Sequence, residues 1–470
     1  MISDRKFMSN QTSVVYKLTI LISFLSVTTV GCSDFTSSGD SIMQESENLT
    51  VTPSYTELGS ETVTPPYTEP SPRMSFQSFY VSLTGKNTNG RSWNTAWNEL
   101  DQIQWDEVSP GDTVVIAGGE YHTQLKPTKS GTSDLPITIT TNGERVILDG
   151  QLPAPPYCGQ TDFVPVAGDD GINLEGQSFI VIDGQDWRGI VIRHYIRGIR
   201  LRRDTNDITV RNVEIYANGY SRPWDSGVAP DGPGVELSGR NVLFERVIIH
   251  DNGQDAIQAG VGVWNFTLRD SWLYNSREHP ADRGLVFNHC AHTDGIQIYK
   301  DGVQGPILLE NSIIGPSFTQ GLMLNSPAIV NDVVIRNSLF VGRENAGIDI
   351  QSNSLSSNWT LQNVTIVQIV DRGWNLKMMD GENHKIKNSL FYGGSWGIGI
   401  FDWTEASGNY NWQTPDRHNV ATEMDPMFLD DDYSSVEGDD FATFDFTIQN
   451  PAIPSGTGSS ITSVMQLFER

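Results

Sequence analysis

The sequence predicts an all-β solenoid of stacked, three-sided coils, and three observations predict it. A short apolar run with a polar corner recurs along most of the chain. A second short run, apolar and variable residues in alternation, precedes nearly every corner. Helical periodicity is absent from this region, and 44 glycines and 23 prolines among 470 residues supply the turns that many short strands require.

Taken in order, residues 1–32 are a targeting segment. Arg5, Lys6 and Lys17 precede an apolar run from Leu18 to Val30, too short to span a bilayer comfortably. The run ends in Thr29-Val30-Gly31-Cys32, which resembles a bacterial lipobox, although Thr29 stands where an aliphatic residue is usual. That resemblance implies lipidation of Cys32 and an exported protein anchored at an outer membrane or cell surface. Residues 33–75 read as a disordered stalk rich in Ser, Thr, Pro and Glu. In it, Thr50-Val-Thr-Pro-Ser-Tyr-Thr-Glu57 returns as Thr62-Val-Thr-Pro-Pro-Tyr-Thr-Glu69. Such a segment buries too little apolar area to offset its ordering entropy, and its prolines keep it extended.

The body, residues 76–456, is the repeat. Its corner positions are 212, 246, 270, 311, 337, 363 and 388, in runs such as Val210-Arg-Asn-Val-Glu-Ile215 and Ile335-Arg-Asn-Ser-Leu-Phe340. The shorter intervals are 24 to 26 residues, and two coils are lengthened by insertion. The accompanying strands are Ile199-Arg-Leu201, Val235-Glu-Leu237, Ile257-Gln-Ala259, Ile296-Gln-Ile298, Leu322-Met-Leu324, Ile348-Asp-Ile350, Trp374-Asn-Leu376 and Ile398-Gly-Ile400. Their alternation is that of a half-buried strand. Leucine-rich repeats share the period, but their fixed Leu and Asn spacing is missing. Residues 457–470 read as a C-terminal tail.

The ends carry a family resemblance. Phe79-Tyr-Val-Ser-Leu-Thr-Gly85, Gly90-Arg-Ser-Trp93, an amphipathic stretch to about Val108 and Pro110-Gly-Asp-Thr-Val-Val-Ile116 resemble the opening of right-handed parallel β-helix proteins of the pectin-lyase-like superfamily. Asp425-Pro-Met-Phe428 and Asp445–Ile453 resemble their closing segment. The resemblance implies a right-handed parallel β-helix with a short N-terminal capping helix. It implies polysaccharide chemistry only loosely, because the superfamily holds lyases, glycosidases, epimerases and non-catalytic surface proteins.

Charge narrows the partners. A formal charge of −26 argues against nucleic acid and against an anionic membrane surface, leaving the N-terminal lipid as the one membrane contact. A monomer acting on a polysaccharide is expected.

Stacking the second strands predicts two outward columns. One reads Arg200, Glu236, Gln258, Gln297, Met323, Asp349, Asn375; the next includes Arg202, Ser238, Gly260 and Tyr299. Asp255 and Asp294 stack just before the strands. Insertions at 216–233 and 275–293 enter before this same face, which marks it as the binding face. They carry Tyr220, Arg222, Trp224, Asp225 and Asp231, then Arg277, Glu278, His279, Asp282, Arg283, His289 and His292.

Two chemistries fit. Ca2+ held by Asp255, Asp294 and Glu236 would acidify a uronate, with Lys300 or an Arg as base for elimination. Alternatively, the carboxylates would hydrolyse a glycosidic bond. A lyase of an acidic polysaccharide is the first expectation; a glycosidase or epimerase and a non-catalytic glycan-binding or surface protein are the alternatives. Asp294, Asp255, Lys300 and His292 are the catalytic candidates. Arg200, Arg202, Glu236, Gln258, Gln297, Tyr299 and Trp224 are the substrate-binding ones.

Gln254-Asp-Ala-Ile-Gln258 and Thr293-Asp-Gly-Ile-Gln297 resemble polygalacturonase motifs in reversed order, so no roles are carried over from that family. Asp294 also has a plain reading, as the cap of an Asp-Gly turn. The run Arg188, Arg193, Arg197, Arg200, Arg202 and Arg203 suits either carboxylate recognition or pairing with the chain's own acids. Cys158 and Cys290, the thiols other than Cys32, are expected to form one disulfide.

Overall fold

A computed structural model describes residues 76–469 except 153–168, 203, 220–231, 275–293, 300–302, 317–319, 325–327, 343–349, 352–354, 369–373, 378–380, 395–396, 400–402, 415, 417–418 and 431–437. The targeting segment, the stalk, both insertion cores, Cys32, Cys158 and Cys290 lie outside the described residues.

Among the described residues the strands pair in parallel, coil on coil, with one isolated antiparallel bridge between Phe428 and Ile448. One face of each coil is a strand of a nine-stranded sheet, running from Asp170–Asn173 to Gly397–Gly399. The other two faces belong to a larger sheet, and the long strands Asn206–Tyr216 and Arg240–His250 cover both by bending in the middle.

The bends are the corners expected from sequence. Asn212, Arg246, Asp270, Asn311, Asn337, Asn363 and Asn388 all have left-handed backbones, with φ between 47° and 60°. Asn and Asp tolerate that region better than other residues carrying a Cβ. Ser271, Ser312, Ser338 and Ser389 each follow a corner and are fully buried. Their hydroxyls accept backbone N–H groups of the preceding coil, from Val247, Ser271, Ser312 and Val364 respectively. The coil-to-coil turn is thereby satisfied without water.

Inward residues from all three faces form one continuous core, from Phe79 and Trp97 to Phe391 and Ile398. Outward, the second face carries an alternating charge ladder. Arg211 pairs with Asp183, Arg269 with Glu245, Arg336 with Glu310 and Lys387 with Glu405. Surface pairs of this kind keep a solenoid solvated and contribute little stability each.

The third face is covered instead. Ile248, Trp272, Ile313, Leu339, Val341, Val367 and Leu390 point outward and pack against Phe428, Phe441, Phe446, Ile461, Val464 and Leu467. The C-terminal segment runs back along the coils. Gly458 N–H donates to Asn388 O, Ser459 N–H to Thr365 Oγ1, and Ser460 N–H to Asn337 Oδ1. The short helix Val464–Phe468 brings Phe468 against Trp272 and Trp187. Residues 457–469 thus form a strap across the third face.

The N-terminal end differs from expectation. The stretch after Gly90 forms three separate 3-10 turns, Trp93–Thr95, Leu100–Gln102 and Trp105–Glu107, in place of a capping helix. A capping box between Ser92 and Thr95 closes the first turn, and the Glu99 carboxylate caps the second. Between them Trp97 is drawn into a bridge with Val81 and fully buried, which holds the chain extended. The apolar residues still plug the core, as a helix would have done.

Candidate functional site

The nine-stranded sheet carries a dense set of polar side chains, and its register aligns them. Arg200 pairs with Glu236, Glu236 with Gln258, Gln258 with Gln297, and Gln297 with Met323. Ile199, Leu201, Val235, Leu237, Ile257 and Ile296 point inward and are buried, leaving the column between them outward. Beyond Met323 the expected column breaks. Leu322 pairs with Ile350, two residues later than expected, and Ile398 pairs with Leu376 across a bulge. Asp349 lies outside the described residues. A two-residue slip keeps the same side chains inward, so apolar alternation alone cannot fix it.

The arginines are turned to the protein's own acids. Arg197 contacts Asp170 and Glu236, both at 3.2 Å. Arg200 reaches Asp170 at 3.4 Å, Glu236 at 3.6 Å and Glu175 at 3.8 Å, and Arg202 reaches Glu236 at 3.2 Å. Glu236 is thus bracketed by three guanidiniums and is only 7% exposed. Farther along the run, Arg193 pairs with Asp149 and Glu120, and Arg188 with Glu214. Pairing is the outcome for each described member of the run.

Asp255 and Asp294 do come together on neighbouring coils, and both are fully buried. Asp255 Oδ1 accepts the Asp294 backbone N–H at 2.8 Å, and Oδ2 accepts from Gln258 Nε2 at 3.2 Å. In the next coil Asp294 Oδ2 accepts from Gln297 Nε2 at 3.1 Å, and the two Gln amides meet at 3.5 Å. The same Asp-x-x-Gln arrangement is therefore built twice, one copy on the other. Asp255 performs the capping role that the plain reading gave to its neighbour, and it positions the backbone of Asp294.

Tyr299 is half-buried on the adjoining column, its N–H on Ala259 O. Burial, reinforced by the charges of Glu236 and Asp255 against Arg202 and Arg197, pushes its phenol above the ordinary value. The hydroxyl is a proton donor at neutral pH.

His292, Lys300 and Trp224 lie outside the described residues. Among the described residues no group of three or more His, Cys, Asp or Glu side chains is placed to hold a metal ion. Glu236 faces the arginines and Asp255 faces backbone and amide. The described part of the expected calcium set does not converge on a cation.

Two features escaped the sequence reading. Asp170-Gly-Ile-Asn173 adds an earlier coil to the column, with Asn173 donating to Asp170 at 3.2 Å and pairing with Arg200. Its likeness to Asp294-Gly-Ile-Gln297 was the available signal. The other is a buried cluster on the third face. Glu214 meets Arg145 at 2.9 Å, Arg188 at 3.3 Å and His250 at 3.4 Å, and His250 Nδ1 lies 2.9 Å from Asp251. The His250 ring stacks between Tyr216 and Tyr274 at 5.0 and 4.6 Å. Those residues stand 24 to 34 apart in sequence, and only the coil period relates them.

Residues 197–411 match a family described as the right handed beta helix region. The chain is a right-handed parallel β-helix. Among solved structures it is similar to pectate lyase Pel9A, with 15% identity, a TM-score of 0.53, and coverage of 81% of this chain and 91% of that one. It is also similar to the GH136 lacto-N-biosidase from Eubacterium ramulus, at 12% identity and TM-score 0.48 over 74% of this chain and 66% of that one. A rhamnogalacturonan lyase matches at 13% identity and TM-score 0.47, over 83% and 98%. No curated protein matches the β-helix by sequence.

Proposed function

We propose that this β-helix is an exported polysaccharide-cleaving enzyme that works across the nine-stranded sheet by glycoside hydrolysis, tethered through Cys32. The observation that carries the chemistry is the doubled Asp-x-x-Gln arrangement, in which Asp255 holds the Asp294 backbone at 2.8 Å. Rigid support from a neighbouring coil is what a working carboxyl needs. Asp294 is the proposed acid–base group, Tyr299 a donor to the sugar, and Glu236 the anchor that keeps the arginines in place. Hydrolysis needs a carboxyl to protonate the leaving oxygen and a second group to activate water or form the glycosyl intermediate.

Elimination, the first expectation from sequence, would take Lys300, outside the described residues, or an Arg as its base. Arg197, Arg200 and Arg202 are ion-paired with Asp170, Glu175 and Glu236.

Incubation with xylan, β-glucan, polygalacturonate and alginate tests the reading. New reducing ends without the ultraviolet absorbance of a conjugated double bond support hydrolysis, and a rise in that absorbance replaces it with elimination. Cys32→Ala should move the activity from the membrane fraction to the soluble one; unchanged retention removes the tether.

A further inference from the structure

We infer that Trp264 is a sugar-stacking platform on the rim of the nine-stranded sheet, taking the apolar face of a pyranose ring in a polysaccharide. The inference rests on the proposed glycan-cleaving role of that sheet and adds a binding residue to it.

Trp264 opens the strand Trp264–Arg269, at the corner where each coil leaves the nine-stranded sheet for the second face. Its side chain is 49% exposed, and Val261 beside it is 55% exposed. A large indole at a solvent-facing corner leaves apolar area in water that a core position would have removed. The backbone beneath it is fixed. Trp264 N–H donates to Gly239 O at 3.2 Å, and Trp264 pairs with Arg240 in the preceding coil. The next residue, Asn265, is left-handed with φ 54° and donates to Asn241 Oδ1 at 3.0 Å; Asn241 in turn donates to Asp207 at 3.0 Å. A rigid mount under an open ring costs little ordering entropy on binding.

Among the described residues, the approach from the sheet is bordered by glycine. Gly260 and Gly262 separate the Gln258 strand from Trp264, and a Cβ built on Gly262 meets nothing within 4 Å. Tyr299, whose N–H binds Ala259 O, lies beside this glycine-bordered floor. A flat aromatic surface at the rim, with the polar side chains of Tyr299, Gln258 and Gln297 toward the centre, matches a sugar ring, which is apolar on its faces and polar at its edge.

Affinity electrophoresis of the full chain through gels containing xylan or β-glucan tests this. Trp264→Ala should weaken retardation about tenfold, corresponding to about 1.4 kcal/mol. Trp264→Phe should restore most of it, and Leu83→Ala, which removes an apolar residue 48% exposed on the first coil, should migrate as wild type. Equal retardation of Trp264→Ala and wild type overturns the platform, as does failure of either polymer to retard the wild type. Polymer that is bound through Trp264 but not cleaved removes the hydrolytic reading and leaves the platform standing.

Discussion

At the scale of single residues, Asp294 and Asp255 look alike in sequence and differ in role. Asp255 spends both oxygens on holding its neighbours, one on the Asp294 N–H and one on the Gln258 amide. Asp294 is equally buried and accepts from Gln297, so Asp294→Asn should cost a comparable stability and, in addition, lower turnover of the folded enzyme by about 10²- to 10⁴-fold, the usual worth of a positioned acid–base group. Asp255→Asn removes a charge from a fully buried hydrogen-bonded site. It should lower activity and also cost about 1–3 kcal/mol of stability. Parallel assays and thermal melts separate turnover from stability, and full activity in both variants would move the site off this face. The sequence placed this pair on neighbouring coils because Asp-Ala-Ile-Gln and Asp-Gly-Ile-Gln repeat the same pattern. It left open whether the arginines face substrate or acid, because Asp170 and Glu175 come from the coil before them and Glu236 from the coil after, and these become partners only when stacked.

At the scale of elements, the corners were legible and the strap was not. Asn311, Asn337, Asn363 and Asn388 recur with Ser or Val after them, and one backbone requirement repeated in every coil leaves one repeated residue type. The strap has no such constraint. Phe428, Phe446, Ile461 and Leu467 meet whichever outward residues lie beneath them, and those lie as far back as Ile248. The capping helix failed for a similar reason, since the bridge from Trp97 to Val81 overrides local helical preference. Ile461, Val464 and Leu467 are fully buried against the third face. Ile461→Ala should cost about 2–5 kcal/mol, in the range for a buried large-to-alanine change. Deleting residues 457–470 should cost more and uncover Trp272, Leu339 and Val341, read as a lower thermal midpoint and increased binding of a hydrophobic dye. A deletion that melts like the full chain would show that the strap contributes no stability.

At the scale of the whole molecule, a chain of charge −26 holds some of its acids in ion pairs, and its stability should follow pH accordingly. Burial opposes ionisation of Asp149, Asp183 and Glu214. Their partners outweigh it: the Gln151 N–H, His194 and Arg193 at Asp149; Asn212, the Gln185 N–H and Arg211 at Asp183; His250, Arg188 and Arg145 at Glu214. All three carboxyls are held below the ordinary value. Their contribution is complete above the unfolded value, about 4, and is lost as pH falls through the lower folded values. His250 runs the other way. Burial disfavours its charge, but Asp251 and Glu214 outweigh that and raise it. Its contribution is complete below about pH 6.5 and fades as pH rises through the folded value. His384, lowered by burial alone, contributes above about pH 6.5 and loses this on acidification. The thermal midpoint of the wild type should therefore drop steeply below about pH 4 and decline more gently above about pH 6.5. His250→Phe keeps a ring between Tyr216 and Tyr274 while removing the proton-binding nitrogens, so it should flatten the alkaline limb and weaken only the Glu214 share of the acid limb, leaving that of Asp149 and Asp183 in place. Melts from pH 3 to pH 9 read both limbs. An alkaline slope identical in wild type and His250→Phe would show that this histidine does not link the coils through its charge.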